Sequence, residues 1–383
     1  MSGSTLRKTF SRKTRVFLLC AVISSLIVLG SGFALRARRD REKIRSALAN
    51  GQDLLRRGHP ARALEAVAQV PERGFWEPDL LTIKGLAFAA LDRPEAVRPL
   101  LERSMKIDPN QPMAAKVLAA VYFATNEIDR GFAMLERSAR LEPDDFRPWF
   151  ATGDMVLKFH LPPSDAVRAF NQSLRLRPDH LESKVGLIDA LLSKGSTAEA
   201  TPLLEAGLRE HPDDPRFLRL AARHAQLSGQ LEEMNHFAEQ ALHNDPNNVE
   251  ARVLHTQYLY RVKRLTEALS QAEETVEVAP NDLSALNLLS QIEGSLGMKD
   301  RSAVTALRRR ESQHRGEQMS KLMDEMKKRP EDPEPRWRMG QVAAKGGLVS
   351  LAMGSYRAAL ALDPQCKPAL DGLAGLKSST TAR

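Results

Sequence analysis

Three arginines, Arg216, Arg219 and Arg223, are spaced three and four residues apart, which on an α-helix stacks their guanidinium groups along one face. A row of planar, permanently charged forks suits carboxylates. The chemistry on offer is recognition: an acidic side chain or a free peptide C-terminus held by paired hydrogen bonds. The competing reading is that carboxylates of adjacent helices neutralise the row. A second cluster, Arg308, Arg309, Arg310 and Arg315, lies in segment 299–329, which holds ten basic and five acidic residues. It reads either as the solvated face of an exposed helix or as a docking surface for an acidic partner or a lipid.

Bond-making chemistry has no comparable signature. The nine histidines are scattered, without HExxH spacing or a cysteine partner, and Cys20 and Cys366 are the only thiols. There is no Walker-type loop, no GxGxxG after a strand and no GxSxG elbow. The carboxylates lie at turns or on polar helix sides, so no pair is nominated for acid/base work. We therefore assign no catalytic residue, no cofactor site, no metal ligands and no small-molecule substrate, and read the chain as non-enzymatic.

The elements that carry the arginines repeat. Pro109, Pro143, Pro178, Pro212, Pro246, Pro280, Pro330 and Pro364 are separated by 34, 35, 34, 34, 34, 50 and 34 residues, each after an amphipathic stretch. A unit of this length is two short helices and a turn. It cannot bury its apolar face alone, so successive units must stack. A coiled coil would need heptads and has no use for a proline in every unit.

Within each unit, small residues recur where two helices must approach. One unit carries Gly340, Ala352, Tyr356, Ala359 and Pro364, and another Ala222, Ala225, Met234, Ala238, Ala241 and Pro246. This pattern resembles the tetratricopeptide repeat, with small residues at repeat positions 8, 20 and 27 and proline at 32. The resemblance implies an all-α solenoid, a right-handed superhelix of about nine helix-turn-helix units over 44–364. An irregular insertion falls at 299–329, where either helix B is prolonged or a helix is added. Residues 365–383 read as a capping helix and tail.

In that family, helix A positions 2, 5, 9 and 12 line a concave groove. Those positions here hold Arg216, Arg219 and Arg223, with Phe150, Asp154, Asp189, Gln257, Tyr260, Asn287 and Gln291 in neighbouring units. The carboxylate clamp of chaperone-tail binders is not carried over, because Ala120 stands where that set needs asparagine beside Lys116.

Upstream of the repeats, residues 16–35 carry no charge and are flanked by Arg7, Lys8, Arg12, Lys13 and Arg15 on one side and Arg36, Arg38, Arg39 and Arg41 on the other. Twenty such residues span a hydrocarbon core of about 30 Å as a helix. The run exceeds an ordinary signal-peptide core and reads as an uncleaved single-pass anchor between a basic tail, 1–15, and a juxtamembrane linker, 36–43. Holding the basic tail inside leaves the repeats extracytoplasmic. Residues 1–45 account for a net charge of +9, leaving the rest of the chain at −1. The basicity belongs to the membrane flanks, which argues against a nucleic-acid partner.

The sequence thus points to a membrane-tethered scaffold binding protein or peptide partners in its groove, in assembly or regulation of an envelope complex. The alternatives are an accessory subunit of an envelope biosynthetic enzyme, or a membrane-proximal binder of anionic lipid or nucleic acid through 299–329.

Overall fold

The structure, a computed structural model, describes residues 38–91 and 93–381. The tail 1–15 and the apolar run 16–35 lie outside these residues. Among the described residues no helix is long and apolar enough to cross a membrane. Also among them, the secondary structure is entirely helical.

The chain divides after Pro109 into two compact units. The first holds α1 (38–56), α2 (Pro60–Val67), α3 (Glu77–Ala90) and α4 (Pro94–Ile107). Here α2 has only eight residues, so the unit read from the sequence near Ile44 has a stunted second helix. Leu48, Val67, Val70, Leu80 and Ile83 form its core.

The second unit is a series of antiparallel hairpins: α5 (Pro112–Ala124) with α6 (Ile128–Leu141), α7 (Arg147–Lys158) with α8 (Pro163–Leu176), and α9 (Leu181–Lys194) with α10 (Thr197–Glu210). They continue as α11 (Pro215–Leu227) with α12 (Leu231–Asn244), α13 (Val249–Arg261) with α14 (Leu265–Val278), and α15 (Leu283–Ser295) with α16 (Lys299–Lys328). The last hairpin is α17 (Glu334–Lys345) with α18 (Val349–Leu362), followed by α19 (Lys367–Thr381).

Local sequence explains where these helices start and turn. Proline opens α5, α8 and α11, where its missing N–H would have had no intrahelical partner. Asp214, Asn248 and Asp282 cap α11, α13 and α15 by accepting from the backbone N–H of Arg216, Ala251 and Ala285. The turn inside every hairpin of this unit needs a left-handed residue at the same repeat position, 15. Gly195, Gly229, Gly297 and Gly347 supply it without strain; Asn126, His160 and Lys263 adopt it with φ of 62°, 51° and 65°.

Packing follows the small-residue rule. The Phe170 ring is 1 % exposed because it lies against Gly153 and Gly186, where an added Cβ would come within 2.7 and 2.4 Å of it. Phe170 joins Ile188, Leu204 and Phe217 in the largest cluster of the unit, each such side chain contributing about 1.5–3 kcal/mol by leaving water.

The insertion is one uninterrupted helix. α16 runs for 30 residues, about 45 Å at 1.5 Å per residue. Its first part pairs with α15; its last part places Leu322 and Met326 against Met339 of α17. Gly316 weakens the helix by about 1 kcal/mol, too little to break it without a proline.

The extension brings the last hairpin against two other parts of the unit. On one side Asn281, in the α14–α15 turn, donates to the carbonyl of Gly346 (2.7 Å) and accepts from Arg315 (2.8 Å). On the other, Arg336 of α17 approaches Glu127 at the α5–α6 turn (3.9 Å), both side chains buried. Arg130 pairs with Glu331 and Lys327 with Asp129 around them. Gly354 faces the Ala124 carbonyl so closely that a Cβ would sit 3.2 Å from it. The second unit therefore closes on itself.

One ionic site predicts an acid response. Asp145, after α6, is pushed up by burial, but hydrogen bonds from Arg147 and Lys116 outweigh this and hold its carboxyl at about 2, below its ordinary 3.8. A carboxyl depressed on folding stabilises fully above its unfolded value and loses that contribution as pH falls through the folded one. The contribution is thus present above about pH 4 and fades towards pH 2. Removing the amine with Lys116→Met should raise the midpoint of acid unfolding followed by circular dichroism, and leave the melting curve at pH 7 less stable than wild type.

Candidate functional site: the face of the first helices

From α7 to α15 successive first helices lie side by side: α7 touches α9, α9 touches α11, α11 touches α13, and α13 touches α15. A residue at one repeat position thus faces the equivalent position of the next unit, and polar side chains bond across the row. Asp189 of α9 accepts from both Arg219 (3.2 Å) and Arg223 (2.6 Å) of α11. Arg219 also pairs with Glu250 of α13, whose other oxygen is 3.7 Å from Arg223. Arg223 donates further to Ser193 (3.0 Å). Arg216 turns back onto its own cap, Asp214 (2.7 Å), with Glu182 3.6 Å away.

Electrostatics distinguish the three arginines. The Arg219 side chain is only 17 % exposed. Burial lowers its pKa, and the Glu250 and Asp189 carboxylates outweigh that, so it is held charged more firmly than an ordinary guanidinium. Arg216 is raised chiefly by its hydrogen bond to Asp214 and remains 41 % exposed. The row is therefore internally neutralised, and Arg216 at its edge is the most accessible member.

The other residues of this face separate into two groups. Gln257 accepts from Gln226 (2.7 Å), and the Tyr260 hydroxyl meets Ser295 (3.2 Å), so the helix-to-helix row extends as far as α15. Asp154, Asn287 and Gln291 are exposed. Phe150 is drawn into packing, edge-on to His180 at 4.9 Å between centroids and tilted against Phe170 at 6.2 Å. Gln226, Ser193 and Ser295 belong to the row without having been singled out. They sit at or next to the groove positions of α9, α11 and α15, and reading every unit at those positions finds them.

The basic cluster does not act as one surface. Arg308 and Arg310 are exposed on α16, Arg309 is half-buried, and Arg315 is committed to Asn281 and Ser312. Histidines occupy structural places: His180 caps α9 by accepting from Ser183, His224 bonds Thr201, and His255 bonds Asn235. Among the described residues no group of three or more His, Cys, Asp or Glu side chains could hold a metal ion.

Residues 163–223, spanning α8 to α11, match the model of the tetratricopeptide repeat family. Within the chain, that segment carries the tetratricopeptide repeat. No curated protein matches it. Among solved structures it is similar to a tetratricopeptide repeat protein from Parabacteroides merdae, at 13% identity over 66% of this chain and 99% of that one, with a TM-score of 0.49. It is also similar to PilW, described as a widely conserved type IV pilus biogenesis factor, at 15% identity over 55% and 98% of the two chains and a TM-score of 0.46. PilF of Pseudomonas aeruginosa matches at 16% identity over 55% and 96%, with a TM-score of 0.45. Similarities this distant carry no functional argument. The tetratricopeptide fold is in general a non-catalytic scaffold for protein–protein interaction.

Proposed function

We propose that the chain is a membrane-tethered scaffold that binds an extended polypeptide along the face of its first helices and serves assembly or regulation of an envelope complex. The observation that carries this is the polar row from Asp189 through Arg219, Arg223 and Glu250 to Gln257 and Tyr260, flanked by exposed Asp154, Asn287 and Gln291. Such a row offers donors and acceptors at each step, so a peptide can exchange its own amides and carboxylates for bonds already satisfied. Affinity then comes from many small exchanges along several units, as suits an extended ligand. Residues 16–35 would hold this face near the bilayer, and the repeats are read as extracytoplasmic. The tether raises the effective concentration for membrane partners without new contacts.

The experiment is crosslinking of intact cells followed by purification of the tagged full chain, comparing wild type with Asn287→Arg and Gln291→Arg. These are exposed positions that leave the arginine network intact. A recurrent partner depleted at least about fivefold in the variants is the expected result. An unchanged partner set excludes this face. Resistance of the wild-type chain to alkaline extraction checks the tether separately.

A further inference from the structure

Aligning the units of the second body exposes an exchange of polarity in one of them. Repeat position 11 is Tyr122, Val156, Leu191, Ala225 and Leu259 in five successive units, all buried. In the sixth it is Glu293, only 1 % exposed. Repeat position 25 is Glu136, Asn171, Glu205, Glu239 and Glu273 in those five units, yet in the sixth it is Leu307, 55 % exposed. Val304, three residues earlier on α16, is 60 % exposed. An acid has entered the core position and apolar side chains have moved onto the surface.

Glu293 and Val304 meet in space. Between the second helices α14 and α16 lies an open cleft of about 830 Å³, lined by Glu273, Glu293, Asp300, Arg301, Val304 and Arg308 among others. One Glu293 oxygen accepts from Arg301 (3.1 Å), and Arg301 also pairs with Glu273. The other oxygen, Oε2, is buried and has no hydrogen-bond partner. A carboxylate oxygen withdrawn from water and left unbonded is costly, and a buried polar atom of this kind needs a reason. A ligand donor is the simplest one. The cleft has more acids than bases, because Glu277 also lines it, so the complementary donor is cationic.

We propose that this cleft is a second binding site, distinct from the face of the first helices. It takes a basic side chain of a partner polypeptide, whose ammonium pairs with the Glu293 carboxylate while its apolar neighbours lie on Val304. The long alkyl stem of lysine suits a cleft with apolar walls and a charged floor.

The test is fluorescence anisotropy on the full-length protein with two labelled, amidated peptides, Ser-Val-Leu-Lys-Leu-Val-Ser and its twin with glutamine for lysine. The lysine peptide should bind at least about tenfold more tightly, the scale of a charge-assisted hydrogen bond. Glu293→Gln, which preserves shape, should reduce that preference below about twofold. Val304→Ser, at an exposed position that leaves the core intact, should weaken both peptides about equally and keep the preference. Equal binding of the two peptides to wild type, or no binding of either, overturns the proposal. So does a preference that survives Glu293→Gln, since Glu293 would then serve only to hold Arg301 against Glu273. If Glu293→Gln fails to fold by circular dichroism, the Val304→Ser arm decides: unchanged affinities refute the site.

Discussion

Arg219→Ala should lower the stability of the second unit by about 2–4 kcal/mol, whereas Arg216→Ala should cost less than about 1 kcal/mol. The two residues lie one helical turn apart with similar chemistry, so the contrast isolates their surroundings. Arg219 bridges α9 and α13 through Asp189 and Glu250, and its side chain is mostly out of water. Its removal leaves two carboxylates near each other, with only Arg223 to answer both. Arg216 bonds chiefly to the cap of its own helix and stays in contact with solvent. Urea unfolding followed by circular dichroism measures both changes. Equal effects of the two substitutions would mean that the helix-to-helix row does not hold neighbouring units in register.

The second large effect is expected at the closure of the unit. Arg336 is 1 % exposed and Glu127 8 % exposed, and they join elements about two hundred residues apart in sequence. Deleting one partner of a buried pair costs up to about 3–5 kcal/mol, and here it leaves Glu127 with Arg130 as its cation (2.9 Å). Arg336→Ala should therefore open the contact between α17 and the α5–α6 turn. Amide hydrogen exchange should accelerate at least about tenfold at both places, while the central hairpins α9 to α12 exchange as before. Glu331→Ala removes only the outer pair with Arg130 at that turn and should have a much smaller effect. Unchanged exchange in Arg336→Ala would show that the contact holds without this pair.

Part of this arrangement was legible before any coordinates. The 34-residue period places equal repeat positions side by side, so the row of Arg219, Asp189 and Gln257 could be read by counting. What counting could not decide is whether those arginines face solvent or the carboxylates of neighbouring helices. That depends on the spacing of α9, α11 and α13 and on side-chain rotamers. The left-handed position inside each hairpin was half hidden for a similar reason: glycine marks it in four units, but Asn126, His160 and Lys263 are forced into it by the fold.

The continuity of α16 was beyond local pattern. The polar stretch from Arg308 to Gln318 interrupts the apolar period, and an interruption of period looks alike whether a helix ends or merely becomes exposed. Closure through Arg336 and Glu127 was invisible, because periodicity carries no information about elements six hairpins apart. Glu293, by contrast, was open to view at a core position of its unit. Only its burial and its unbonded oxygen give that misplacement chemical meaning.

The central claim is that partners bind along the face of the first helices. Its most direct measurement is site-specific photocrosslinking in cells, with benzoylphenylalanine at the exposed positions Asp154 and Asn287 of that face, and at the exposed Gln240 of α12 as the comparison. Discrete crosslinked partners from Asp154 and Asn287 and none from Gln240 are the expected result. Crosslinks from Gln240 alone would contradict the account and place binding on the second helices.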